Sequence, residues 1–165
     1  MNLDIVSVDA INITSPYHVR VQEGGCHVLT FTTDNALVYQ ISFFIDESLY
    51  VNDVYQFVIE EINDIHSVHD PKIEQTIVAI LNSFFQSREH SLAFVCDTKQ
   101  GYASARNHLF QRWFRKYAGS QLIKQDGVIY TDGDMYYTSI ITRKDNPNLE
   151  LLQSNYSNYI KLLQK

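Results

Sequence analysis

The chain has 165 residues, 13 Lys and Arg against 19 Asp and Glu, and 45% hydrophobic residues, with 11 Tyr, 9 Phe and one Trp. This excludes a disordered chain, and the length allows one domain, residues 1–165, burying roughly 70% of the surface its unfolded form exposes. No apolar run approaches the roughly 20 residues that span a bilayer, the start MNLDIVSVDA carries no basic n-region, and Cys26 and Cys96 are too few for a disulfide framework. A cytoplasmic protein without membrane contact is expected.

The net charge of −6 hides an asymmetry. Residues 1–71 hold eleven acids and one base, Arg20, whereas residues 72–165 hold twelve bases and eight acids. Between Thr98 and Gln125 lie Lys99, Arg106, Arg112, Arg115, Lys116 and Lys124, with no acid among them. Such a run is either a solvated face balanced by the other half or a basic face for an acidic partner.

In chain order, residues 5–22 alternate imperfectly and read as strand, turn and strand, broken at Ser15-Pro16. HVLTFTT, Asp34-Asn35 and ALVYQISFF form a β-hairpin pattern, with Leu29, Phe31, Tyr39, Ile41 and Phe43 alternating with polar or smaller residues. VYQFVIEEI, residues 54–62, fits either period; its β-branched and aromatic content favours a strand that continues the meander. His66, His69 and Asp70 lack further ligands for a metal site and read as surface residues. Asp70 as N-cap and Pro71 at the first helical position open a helix whose apolar stripe is Ile73, Ile77, Ile80, Leu81, Phe84 and Phe85, with Arg88 near its negative pole.

Leu92–Cys96 is apolar throughout, as in a central strand covered on both faces. The turn DTKQG and a helix to Ala118 follow, and the stretch 92–118 reads as the middle of a βαβ unit. Gly119-Ser120 stops that helix. Residues 121–131 and 135–143 read as strands around the hairpin dipeptide Asp132-Gly133, with Asp126-Gly127 a bulge or a second tight turn. Asn146-Pro147 then caps a C-terminal helix with the stripe Leu149, Leu152, Tyr156, Tyr159 and Leu163 and with Lys161 and Lys165 in its last turn.

On the helix before Ala118, Tyr102, Ala103, Ala105, Leu109, Phe110, Trp113, Phe114 and Tyr117 form one apolar arc at about 100° per residue. Arg106 falls inside that arc, and an unpaired buried guanidinium would cost several kcal/mol. It either pairs with Asp97 to pin the strand–helix junction, Asp132 and Asp134 being the other carboxylates within the fold's reach, or clamps an anion at the mouth of the sheet. The candidate binding residues are Asp97, Thr98, Arg106, Arg112 and Arg115, with no catalytic and no metal residue. Asp132-Gly133-Asp134 reads as hairpin chemistry rather than a cation site, and the aromatics of the basic stretch lie on the buried arc, which with the overall acidity weighs against nucleic acid.

The order of elements, a β-meander, a helix from Asp70, a strand at 92–96, a helix at 102–118 and a closing hairpin, resembles that of GNAT acyltransferases over residues 27–143. The resemblance implies a GNAT-like α+β fold, an antiparallel-rich mixed sheet flanked by helices. DPKIEQTI, VCDTKQG, ARNHLFQRWF and RKDNPNLE also resemble an uncharacterised bacterial domain family with no settled activity. In the acyltransferases a Gly-rich loop at the helix starting here at Pro71 binds the coenzyme A pyrophosphate, because only glycine lets the backbone approach so closely. NDIHSVHDPKIEQT has no glycine and places Asp70 there, and the family's general-acid tyrosine falls near Phe110. The expected function is a non-catalytic binding module for an unknown protein or small anionic ligand, without a cofactor. The alternative is a divergent N-acyltransferase using acyl-CoA.

Overall fold

The computed structural model describes residues 5–23, 27–63, 69–97 and 111–164. In chain order the elements are α1 (Val8–Thr14), β1 (Arg20–Val21), β2 (Val28–Thr32), β3 (Val38–Ile45), β4 (Val54–Glu61), α2 (Pro71–Phe84), β5 (Ser91–Asp97), a helical segment over residues 111–117 (α3), β6 (Leu122–Thr131), β7 (Asp134–Arg143) and α4 (Leu149–Leu163). The seven strands run β1-β2-β3-β4-β5-β7-β6. Pairs β1–β2, β2–β3, β5–β7 and β6–β7 are antiparallel, and β4–β5 is parallel. This is the expected α+β class, a mixed and mostly antiparallel sheet with helices. Two compact units divide the chain, Met1–Phe44 with Phe57–Ser87, and Ile45–Gln56 with Arg88–Lys165.

In the first unit the β2–β3 hairpin is as the alternation predicts: Leu29, Phe31, Ile41 and Phe43 are buried, and Phe43 meets Phe57 at a tilt, ring centres 5.2 Å apart, and stacks on Phe84 at 5.1 Å. Residues 54–61 are a strand, where the branched and aromatic content outweighed a possible helical stripe. Helix α2 begins as expected, and its buried surface is wider than the apolar stripe, taking in Thr76, Val78 and Ala79. Arg88 lies past its end rather than in its last turn.

The expected strand–turn–strand over residues 5–22 is instead helix α1 followed by an extended segment. Ser7 caps the helix by accepting from the Ala10 N–H at 3.3 Å, and Val8 and Ile11, three apart, supply its buried face. Asn12 holds the returning chain, accepting from the Val19 N–H at 2.8 Å and donating to the Val19 carbonyl at 2.9 Å. Seven residues are too few for a helical period to show against β-branched composition.

In the second unit β7 lies between β5 and β6. Two antiparallel steps make β5 and β6 run the same way, but the sheet does not place them side by side. The strand–helix–strand unit predicted around 92–118 is thus a split one, with β7 inserted between its parallel strands, and the adjacent parallel pair is β4–β5, joined through α2, with the register Val54↔Ser91 to Gln56↔Ala93. Leu92, Ala93 and Phe94 are buried as expected of an inner strand, while Val95 is half exposed.

The register separates two faces. Ser91, Ala93, Ile140, Thr142 and Gln125 share the face that meets α4, where Leu49, Val51, Val54, Ala93, Ile140, Leu152 and Tyr156 form one core. Asp126-Gly127 is neither bulge nor turn, since both residues pair in register with Ser139 and Thr138. Glycine is favoured there because a Cβ would run into the Ile160 side chain of α4. Asp132 and Gly133, at φ 50° and 81°, form the two-residue turn between Thr131 and Asp134.

Asn146 is not the N-cap of α4; that position is held by Asn148, whose side chain makes no capping hydrogen bond. Asn146 is buried, donating to the Thr142 hydroxyl at 2.8 Å and to the Ser91 hydroxyl at 3.2 Å, and accepting from the Asn148 N–H at 2.8 Å. A buried amide keeps its place by satisfying both of its ends.

Candidate functional site

At the start of α2 the Asp70 carboxylate meets two donors. One oxygen accepts from the Lys72 N–H at 2.9 Å and the other from the Tyr17 hydroxyl. The Asp34 N–H donates to the same hydroxyl at 3.4 Å, and the Lys72 ammonium pairs with Asp34 at 3.0 Å while lying 5.7 Å from the Tyr17 ring centre. Tyr17 stacks on Phe31, which stacks on Tyr39. Burial, reinforced by the hydrogen bond to Asp70, raises the Tyr17 phenol above its ordinary range, and the hydrogen bond to Asp34 raises Lys72. The partial positive end of α2 is thus neutralised by a residue of its own chain. A phosphate arriving there would meet a carboxylate rather than open N–H groups.

Of the predicted binding residues, Asp97 ends β5, paired across from Tyr136; its side chain, Thr98 and Arg106 lie outside the described residues, as do Phe110 and His66. The question of an Arg106–Asp97 pair lies there too. Arg112 and Arg115 are exposed on α3, three residues apart and so on one side of the helix. Trp113 is buried and Phe114 and Tyr117 are half-buried, in keeping with the apolar arc. Lys116 is exposed, with its ammonium 4.9 Å from the Tyr117 ring centre.

Lys124 leaves the predicted basic face. Its side chain is 6% exposed, its ammonium pairs with Asp126 and it lies 6.0 Å from the centre of the Phe94 ring. Asp126 also accepts from the Ser139 hydroxyl. Register explains the grouping: Lys124 and Asp126 are two apart on β6, and Asp126, Ser139 and Phe94 are successive cross-strand partners on one face. The i, i+2 spacing of opposite charges was the available sequence signal. The arrangement satisfies a sequestered ammonium; Ser139, at 1% exposure, is closed to a substrate.

Asp132 is exposed and Asp134 half-buried at the hairpin turn, where their backbone role accounts for them. His69 is exposed. Among the described residues no three of His, Cys, Asp and Glu gather as a metal-binding group, and no helix is long and apolar enough to cross a membrane.

No curated protein matches the chain. A solved structure titled "The structure of a CoA-dependent acyl-homoserine lactone synthase, MesI" aligns over 87% of this chain and 75% of its own, at 8% identity and a TM-score of 0.40. A family model described as "Family of unknown function (DUF6169)" matches residues 69–158, more than half of the chain and the stretch from the cap of α2 well into α4. The chain belongs to this family of unknown function, DUF6169.

Proposed function

We propose that the chain is a non-catalytic cytoplasmic module that binds an anionic partner, a protein or a small ligand, through the exposed arginines of α3. The observation that carries the non-catalytic reading is the carboxylate at the start of α2. Asp70 accepts from the Lys72 N–H and from the Tyr17 hydroxyl, so an acyl donor's pyrophosphate would meet a negative charge there and one N–H that already has a partner. The choice of partner rests on charge: Arg112 and Arg115 are exposed on one helix within a stretch that contains no acid. Cytoplasmic placement rests on composition, with two cysteines in 165 residues.

Two measurements test this. Acetyl-CoA at saturating concentration is expected to leave the melting temperature unchanged; a rise of several degrees would establish the acyltransferase reading, since a ligand at 100 times its Kd adds about 2.7 kcal/mol. A fluorescein-labelled polyglutamate peptide is expected to bind, with affinity falling at least tenfold in the doubly substituted Arg112→Glu, Arg115→Glu variant and at raised salt. The acyltransferase reading is retained as the second one because the element order over residues 27–143 is the order that resemblance implies.

A further inference from the structure

The loop between β3 and β4 presents Tyr50 with 90% of its surface exposed, the most exposed large hydrophobic residue among those described. Its backbone lies at φ 55°, a left-handed conformation that bulky side chains avoid. Neither property comes from looseness. Leu49 and Val51, on either side, are buried in the α4 core, and the Asn155 side chain donates to the Leu49 carbonyl at 2.8 Å. The Tyr50 N–H donates to the Glu47 carbonyl at 3.1 Å, Asp46 accepts from the Ser48 N–H at 2.9 Å, and the Asp46 N–H donates to the Val54 carbonyl at 2.8 Å. A second strained residue, Asp53 at φ 59°, is tied to β5 by the Ser91 N–H at 2.9 Å. The loop is a rigid knob that holds an aromatic ring in water, and strain kept at a fixed, exposed position is a mark of function.

Its charge indicates what it meets. Residues 45–56 carry Asp46, Glu47 and Asp53 and no base. In the same compact unit, the described residues 111–125 carry Arg112, Arg115, Lys116 and Lys124 and no acid, with Lys124 sequestered and the other three exposed. An aromatic anchor within an acidic collar fits a surface that presents arginine, and tyrosine and arginine are both enriched among interface hot spots. We propose that this partner is a second copy of the chain: the Tyr50 loop of one copy docks on the Arg112–Arg115 face of the next. Each copy carries both patches, so the contact closes reciprocally into a two-fold dimer or, where only one pair of patches meets, runs head-to-tail and extends or closes into a ring. The proposal rests on α3 being an anion-binding face and names its partner.

Sedimentation velocity across a concentration series tests it. The wild type is expected to show concentration-dependent association that weakens at least tenfold between low and 0.5 M salt, roughly as screening dictates. Tyr50→Ser is expected to weaken association at least tenfold while the melting temperature stays within a degree, because the side chain is almost fully exposed and serine has the same backbone conformation to adopt. Glu47→Lys with Asp53→Lys in one variant, and Arg112→Glu with Arg115→Glu in another, should each abolish association, and an equimolar mixture of the two should restore it. A wild type that stays monomeric at every concentration, or association unmoved by Tyr50→Ser, overturns the proposal. A monomer that instead binds polylysine in a Tyr50-dependent way also overturns it and assigns the loop to a different basic partner. Polyglutamate binding by a monomeric wild type would leave the anion-binding reading standing while this one falls.

Discussion

Replacing Gly127 by alanine sets two effects of known size against each other. A glycine inside a strand costs roughly 0.5–1 kcal/mol relative to alanine, so the substitution should stabilise if space allows. Space does not allow it: the new Cβ would run into the Ile160 Cδ1, and it would also stand 3.2 Å from Ile160 Cγ1 and 3.4 Å from Thr138 Cγ2. The δ-carbon can swing aside, but the γ-carbon is fixed by a χ1 that is stiff in β-branched residues on a helix. The γ-carbon, and α4 with it, must then give by a few tenths of an ångström, and overpacking of this kind costs about 1–3 kcal/mol. The clash wins, with a net loss of about 1–2 kcal/mol, equivalent to a fall of about 2–8 °C in melting temperature for a chain of this length. Urea denaturation of Gly127→Ala, Ile160→Ala and the double variant is the assay. Alanine lacks both the δ-carbon and the γ-carbon that meet the new Cβ, so the double variant should recover about 1 kcal/mol beyond additivity. Neutral or raised stability in Gly127→Ala, or strict additivity, would show that α4 does not rest on β6 at this residue and would restore the bulge reading.

Asp70→Ala should lower stability by about 2 kcal/mol, combining a lost helix cap of about 1 kcal/mol with a buried Tyr17 hydroxyl left without its acceptor. Tyr17→Phe should remove only the second part, so the pair should be less than additive in urea denaturation; full additivity would mean that Tyr17 and Asp70 do not act together. Tyr156 gives a prediction in pH. Burial pushes its phenol up to about 12, from an ordinary value of 10.0, so the unfolded chain ionises there before the folded one does. Stability from this group is therefore complete below pH 10 and is lost as pH rises toward 12. Thermal melts in that window should show a shallower decline in Tyr156→Phe than in the wild type; parallel declines would mean that the ring is accessible to solvent when folded.

Some elements announce themselves locally. The cap and stripe of α2, the β2–β3 hairpin and the Asp132-Gly133 turn each carry their cause within one short stretch of chain, as caps, period-two alternation or a dipeptide suited to positive φ. Helix α1 was hidden because seven residues show too little period. Gly127 was misread because its reason lies on α4, thirty-three residues further along the chain. Similarly, Asn146 has the composition of a cap, yet its partners Ser91 and Thr142 belong to two other strands.

The same division runs through the candidate site. Sequence alone determined the charge asymmetry, the absence of glycine where a pyrophosphate would need it and the apolar arc that turns Trp113 inward, because composition and helical period are local properties. Only the tertiary structure decided that Lys124 is withdrawn from the basic face, since that depends on register placing Asp126, Ser139 and Phe94 in one row. It also decided that Asp70 is held by Tyr17, a residue 53 positions away, and that Tyr50 stands out in water while both its neighbours are buried. Burial and pairing belong to the packed chain, and a residue type states only what it could pair with.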